Sequence, residues 1–297
     1  MLVALFPGQG SLKPGMGLPW AGHDAVELLD RISEVAGVDV WRLLSTTEGD
    51  ELVRTDNAQL ATFALSTVIA RAAAAEGMTA DLAIGHSLGE YSALHYAGIL
   101  SLDEATRLVL ARGKAMARAA LQRPGSMAAV LGASEDEVAE AIAQFPDLVV
   151  ANYNAPGQIV VSGDLDQLGA FKDGARALGI RRVVLLEVGG AFHSPLMAPA
   201  SDSLAEALEV ARFSTGTIPV VANVDASPHS GDAPWVELLR AQLTGAVRFE
   251  QSIVGTPSDA SFVEFGPGGV LAGLVGRIRN DAVVRGIATP LDLDEGA

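Results

Sequence analysis

The chain has no cysteine. That excludes disulfides and thiolate chemistry and suits a reducing cytosol, so a cytoplasmic protein is expected. Aromatic residues are few, at 5%, and positive charge is in deficit. Twenty Lys and Arg stand against 36 Asp and Glu, a formal net charge of -16. A surface of that sign speaks against general nucleic-acid binding and serves solubility first. No apolar run reaches membrane length without charges, and the opening MLVALFPGQG lacks the charged lead of a signal peptide. P-loop, H-E-x-x-H and G-x-G-x-x-G motifs are missing, as are metal-ligand spacings and solenoid repeats. Neither a metal, a permanently bound cofactor nor a membrane or nucleic-acid partner is therefore expected.

What is present is a 297-residue chain, 49% hydrophobic, long enough to bury a sizeable core. Residues 2–6 read as a buried strand, 58–76 as a helix, 80–84 as a short strand, 87–96 as the start of a helix and 103–121 as a longer one. Strand alternating with helix predicts an α/β sheet with covered faces. The middle reads differently: strand 126–131, helix 134–144, strands 148–153 and 158–162 joined by an Asn154-Ala155-Pro156-Gly157 turn, helix 165–178 and strand 181–188. That βαββαβ order is the ferredoxin-like arrangement, and it predicts a small inserted subdomain over 125–189. The larger subdomain would then comprise 1–124 and 190–297, with helix 199–211, strand 218–223, a polar loop 225–233, helix 235–243 and strand 261–265. The acidic tail 291–297 is expected to fray.

Gly85-His86-Ser87-Leu88-Gly89 fits G-x-S-x-G, with a strand before it and a helix after it, which is the context that motif needs. The glycines allow a sharp turn, and Ser87 sits at a helix N-terminus where the Leu88 amide can donate to an oxyanion. A serine hydroxyl needs a base, and five histidines are available. His86 leaves the turn in another direction, and His95 lies about two turns further along the helix. His23 sits in an acidic helix start and His229 in a polar loop, both expected to be solvated. His193, after Gly189-Gly190, is the remaining candidate, with an ordinary loop histidine as the alternative.

On the 103–121 helix, positions 108, 112, 115, 116 and 119 share a face and read Leu, Arg, Ala, Met, Ala. Arg112 is the odd charge there. It either snorkels to water or forms a bidentate clamp for a substrate carboxylate. Gly8-Gln9-Gly10, after the first strand, lets backbone approach a ligand and lets Gln9 supply a polar contact or a second oxyanion donor. Gly266-Pro267-Gly268-Gly269 is a tight strand–helix turn.

Taken in order, Phe6-Pro7-Gly8-Gln9-Gly10-Ser11, Gly85-His86-Ser87-Leu88-Gly89-Glu90, Arg112-Gly113, Asn154-Ala155-Pro156-Gly157-Gln158, Ala191-Phe192-His193-Ser194 and Glu264-Phe265-Gly266-Pro267-Gly268 resemble the malonyl-CoA:acyl carrier protein transacylases of fatty acid and polyketide synthesis. The resemblance implies an α/β-hydrolase-like large subdomain with a ferredoxin-like insertion. It implies that Ser87 takes malonyl from malonyl-CoA as an ester, with His193 as general base and then general acid, and passes it to acyl carrier protein. It further implies an oxyanion hole from the Gln9 and Leu88 amides, and Arg112 on the malonyl carboxylate. The Gln242 backbone carbonyl would orient His193, and Met116 would line the acyl pocket. Phe192 would fill the space that an α-methyl group needs. Gly269 departs from many relatives, which carry a larger residue there. An acidic carrier protein would need a local basic surface, for which Lys114, Arg118, Arg123, Lys172, Arg176, Arg181 and Arg182 are candidates, and a monomer is expected. The rival readings are an esterase, which needs an acid behind the histidine and has no use for Arg112, and a non-catalytic binding module.

Overall fold

The computed structural model describes residues 1–294. Ten strands form two sheets. In chain order they are β1 (Leu2–Phe6), β2 (Leu82–Gly85), β3 (Gly125–Leu131), β4 (Leu148–Ala155), β5 (Gln158–Asp164), β6 (Arg182–Leu185), β7 (Val220–Val221), β8 (Pro228–His229), β9 (Ser261–Phe265) and β10 (Val284–Ile287). The first sheet runs β10-β9-β1-β2-β7-β8. Its pairs are parallel except β7 with β8. The second runs β4-β5-β3-β6 and is antiparallel throughout.

The central strands of the first sheet, β1, β2 and β9, are almost wholly buried, as continuous apolar runs in a covered parallel sheet must be. Helix Thr55–Ala75 packs beneath it. This helix is long and apolar enough to cross a membrane, but it is mostly buried inside the protein. It is the central core helix and lies against helix Leu102–Gln122. Val247 links the second sheet to the first: its N–H donates to the Ala151 carbonyl at 2.8 Å and its own carbonyl accepts from Tyr153 at 2.9 Å, while its side chain shares an apolar cluster with β1 and β2. Met127, Ala151 and Val160 of the second sheet join the same apolar core as Phe192.

The observed order Gly125–Leu131, Glu135–Ile142, β4, β5, Leu165–Gly174, Arg182–Leu185 is βαββαβ, as the sequence pattern predicts. Several boundaries differ. The expected four-residue turn narrows to Pro156-Gly157, because Ala155 still pairs with Gln158, and Gly157 takes φ +68°. Strand 218–223 shrinks to Val220–Val221, since Asn223 leaves the ladder for side-chain bonds near Ser87. Helix 165–178 tightens to a 3-10 turn over Ala175–Leu178. The tail is ordered through Asp294: Leu291–Asp294 makes a helical turn, held where the Asp292 carboxylate accepts from the Ala288 and Thr289 amides at 2.9 and 2.7 Å. The expectation for 295–297 lies outside the described residues.

The junction of β2 with helix Gly89–Tyr96 is where glycine is required. A Cβ on Gly89 would stand 1.9 Å from the Phe6 carbonyl oxygen, and one on Gly85 would stand 2.0 Å from the Gly89 carbonyl carbon. The helix thus abuts backbone on both sides, with no flexible side chain to yield. Gly89→Ala is expected to destabilise the fold by about 2 kcal/mol or more; urea unfolding of the variant beside the parent measures it.

Candidate active site

Ser87 stands between β2 and helix Gly89–Tyr96 with φ 54°, a conformation that L residues seldom adopt. The close glycine contacts leave the chain no other path. Its amide donates to Asn223 Oδ1 at 2.7 Å, and Asn223 Nδ2 donates to the Gly85 carbonyl at 2.7 Å. One side chain therefore clamps both ends of the turn. Ser87 Oγ lies 2.7 Å from His193 Nε2, and His193 Nδ1 lies 2.8 Å from the Gln242 backbone carbonyl. A carbonyl accepts only, so Nδ1 carries the proton and Nε2 is free to accept one from the serine. His193 also has a positive φ, 57°. The two reacting side chains both rest on strained backbone that the surrounding packing holds in place.

Burial, with the Arg112 charge second, pushes the His193 pKa down to about 3. The imidazole is therefore neutral across the working range and always able to accept. Among the described residues no carboxylate backs it; the Gln242 carbonyl takes that place.

Arg112 is 1% exposed. The snorkelling alternative fails, because the guanidinium points inward. Nη1 donates to Gln59 Oε1 at 2.8 Å, and Nη2 donates to Gln242 Oε1 at 2.9 Å and to Ser87 Oγ at 3.0 Å. The Tyr91 ring lies 5.6 Å from its Cζ. Among the described residues it pairs with no carboxylate, and its Nε has no acceptor.

A cleft of about 380 Å³ opens over Ser87 and His193, lined among others by Gln9, Met116, Asn154 and Phe192. Met116 Sδ accepts from Gln59 Nε2 at 3.3 Å, which ties the pocket wall to the arginine's partner. Leu88 has its side chain in the core, leaving only its amide to face chemistry. Among the described residues that amide donates to no backbone acceptor. A larger hollow of about 820 Å³, around Gly22, Arg31 and Glu76, contains no candidate nucleophile.

The other histidines are elsewhere engaged. His86 turns away from Ser87 Oγ and sets Nε2 2.8 Å from Asn154 Oδ1, although its ring lines the same cleft. His95 lies 3.1 Å from the Leu100 carbonyl. His23 and His229 are half-buried and not simply solvated: His23 Nδ1 accepts from the Ala25 amide at 3.1 Å, and His229 Nε2 sits 2.8 Å from Asp225 Oδ2. Gly269 caps helix Val270–Ile278 at φ +64°, where a larger residue is strained.

Sequence reasoning did not find Asn223, Gln59 or Glu90, nor the side-chain role of Gln242. Each is a buried polar residue, and in the sequence Gln59 and Glu90 stand among other polar residues, so no local signal marks them.

The fold and this site define a class of protein: one with a serine at a strand–helix turn, hydrogen-bonded to a buried histidine. Residues 3–281 match the acyl transferase domain family, and the chain belongs to it. It is 37% identical over 297 residues to the malonyl CoA-acyl carrier protein transacylase of Bacillus subtilis (strain 168), covering 97% of this chain and 94% of that relative. The crystal structure of the malonyl-CoA:acyl carrier protein transacylase from Xanthomonas oryzae pv. oryzae superposes with a TM-score of 0.92 at 38% identity, over 98% of this chain and 95% of that one. A malonyl-transacylase solved in complex with a type II PKS acyl-carrier protein matches with a TM-score of 0.91 at 33% identity, over 98% of this chain and 97% of that one.

The neutral state of His193 is directly checkable. In a pH titration followed by NMR, its ring protons should not shift between pH 8 and about pH 4, because burial depresses its protonation below that range. A midpoint near the ordinary histidine value would contradict the geometry.

Proposed function

We propose that the chain transfers malonyl from malonyl-CoA to the phosphopantetheine thiol of acyl carrier protein by way of a malonyl ester on Ser87. The observation that carries this reading is Arg112: a buried guanidinium 3.0 Å from the nucleophile with only neutral acceptors around it. An esterase for neutral substrates would have no use for that charge. A malonyl carboxylate would complete it with bidentate hydrogen bonds.

In the first half-reaction Ser87 Oγ attacks the thioester carbonyl while His193 Nε2 takes its proton. The amides of Gln9 and Leu88 receive the oxyanion. Collapse breaks the carbon–sulfur bond, and His193 returns the proton to the departing coenzyme A thiolate. In the second, His193 takes the proton of the carrier thiol, the sulfur attacks the ester, and Ser87 recovers its proton. Gln242 holds the imidazole through its carbonyl. Met116 and Phe192 shape the acyl pocket, Phe192 against an α-methyl group.

The division into a larger α/β-hydrolase-like subdomain, 1–124 with 190–297, and a ferredoxin-like subdomain, 125–189, is part of the same reading. It is supported by the strand order β4-β5-β3-β6, in which the first strand of the unit lies between the third and the fourth. The chain then acts as a cytoplasmic monomer with no permanently bound cofactor. Lys114, Arg118, Arg123, Lys172, Arg176, Arg181 and Arg182 are all exposed and offer an acidic carrier its docking charge. Fatty acid synthesis is the pathway we favour. A polyketide role is supported by the likeness to the transacylase solved with a type II PKS carrier.

Intact-protein mass spectrometry with malonyl-, methylmalonyl- and acetyl-CoA tests this. Malonyl should add to the parent and not to Ser87→Ala; an adduct on Ser87→Ala would sink the proposal. Arg112→Ala should slow malonylation about a hundredfold or more, the scale of a broken buried ion pair, and leave acetylation far less affected. Phe192→Ala should raise methylmalonyl loading relative to malonyl by roughly tenfold, as expected when room is made for one methyl group.

A further inference from the structure

Glu90 follows the nucleophile by one turn and is 1% exposed. Its Oε1 accepts from the Asn223 amide at 3.2 Å, and its Oε2 accepts from Gln242 Nε2. Gln242 Nε2 donates also to the Ser87 carbonyl at 2.8 Å. The other end of that carboxamide, Oε1, faces Arg112. A buried cation and a buried anion are therefore joined through one amide and do not touch directly.

A carboxamide can sit in either of two orientations. An ionised carboxylate accepts only, and a guanidinium donates only. Glu90 and Arg112 together thus permit Gln242 a single orientation, with nitrogen toward Glu90 and oxygen toward Arg112. That orientation keeps Arg112 Nη2 aimed at Ser87 Oγ. It also seats the residue whose backbone carbonyl holds His193. A direct Glu–Arg pair would instead satisfy the guanidinium and leave it nothing to offer a substrate.

We propose that Glu90 is a positioning residue that, through the Gln242 carboxamide, counters the buried Arg112 charge without pairing with it, so that the guanidinium, whose Nε has no acceptor, is left for the substrate carboxylate. This deepens the malonyl-transfer reading and rests on it. The charged or titratable groups facing Glu90 are Arg112 from helix Leu102–Gln122, Asp225 from the segment after β7, and Tyr91 beside it. Burial raises its pKa to about 7, against the pull of its hydrogen bonds and of Arg112. Below that pH the carboxyl gains a proton and loses the charge that counters Arg112, and because both its partners are donors one of the two hydrogen bonds weakens. Malonyl loading should therefore fall as pH drops through about 7, a limb His193 cannot supply, since burial and Arg112 press its own pKa to about 3.

The test compares the parent, Glu90→Gln and the double exchange Glu90→Gln/Gln242→Glu. In the double exchange carboxylate and carboxamide trade places, so the hydrogen bond between positions 90 and 242 is kept, the Ser87 carbonyl loses its side-chain donor, and Arg112 meets a carboxylate directly. Ser87 acylation by malonyl-CoA and acetyl-CoA is read by mass spectrometry, with thermal unfolding alongside. The pH profile uses the malonyl thioester of N-acetylcysteamine, which has no phosphate to titrate. We expect the double exchange to lower the malonyl-to-acetyl rate ratio by about tenfold or more, and Glu90→Gln, which stays folded as an isostere, to lose the acid limb. An unchanged ratio in the double exchange, or an unchanged limb in Glu90→Gln, overturns the proposal. A parent that takes no malonyl on Ser87 overturns the malonyl-transfer reading itself, a separate result.

Discussion

A buried guanidinium without a carboxylate partner is the constraint around which this molecule is arranged. Taking a charge out of water costs several kcal/mol even after relaxation. Arg112 recovers part of that from Gln59, Gln242, Ser87 and the face of Tyr91, each neutral. Hydrogen bonds to a charged group contribute about 1.5–3 kcal/mol each. The shortfall is made up by the scaffold: helix Leu102–Gln122 is packed on helix Thr55–Ala75, so the side chain has no route to the surface. The site stays primed because the core supplies dipoles there and no counter-charge in direct contact.

The nucleophile depends on a different constraint, the contact of backbone with backbone. Gly85 and Gly89 let β2, β1 and the following helix approach more closely than any side chain permits. The turn then has one residue left with which to reverse, and Ser87 takes the left-handed conformation. Asn223 secures it from a neighbouring strand end. The strain at Ser87 and His193 is held by these contacts and by the Gln242 carbonyl, so the distance between the reacting atoms is set before any substrate arrives.

How much of this could be read from residues alone follows from the range of the interactions. Ser87 was legible because its motif, strand and helix are contiguous. Arg112 was legible as a misplaced charge, and the structure resolves its two readings in favour of the inward one. His193 could be narrowed by elimination, with the resemblance giving its role. The βαββαβ order was legible because each element carries its own periodicity. Asn223 and Gln242 were different: their side-chain partners lie 136 and 155 residues away, and no local pattern brings them together. Short elements were lost for a related reason. Strand β10 has four residues and helix Phe249–Val254 has six, too few for a period to show, and both exist because β9 and β4 offer them a surface.

In the proposed reaction charge and shape are read by different elements. Arg112 is buried on helix Leu102–Gln122 and would answer charge, while Phe192 lines the cleft from the segment leading into His193 and would answer bulk. On that proposal an acyl group would have to satisfy both to place its carbonyl over Ser87 Oγ. A neutral acyl group of the right size would leave a desolvated guanidinium unanswered, and a branched acid would meet the Phe192 ring. Selectivity of this kind needs no moving part. It requires that Arg112 keep its direction, and that direction is fixed by amides whose own orientation is set one bond further from the substrate.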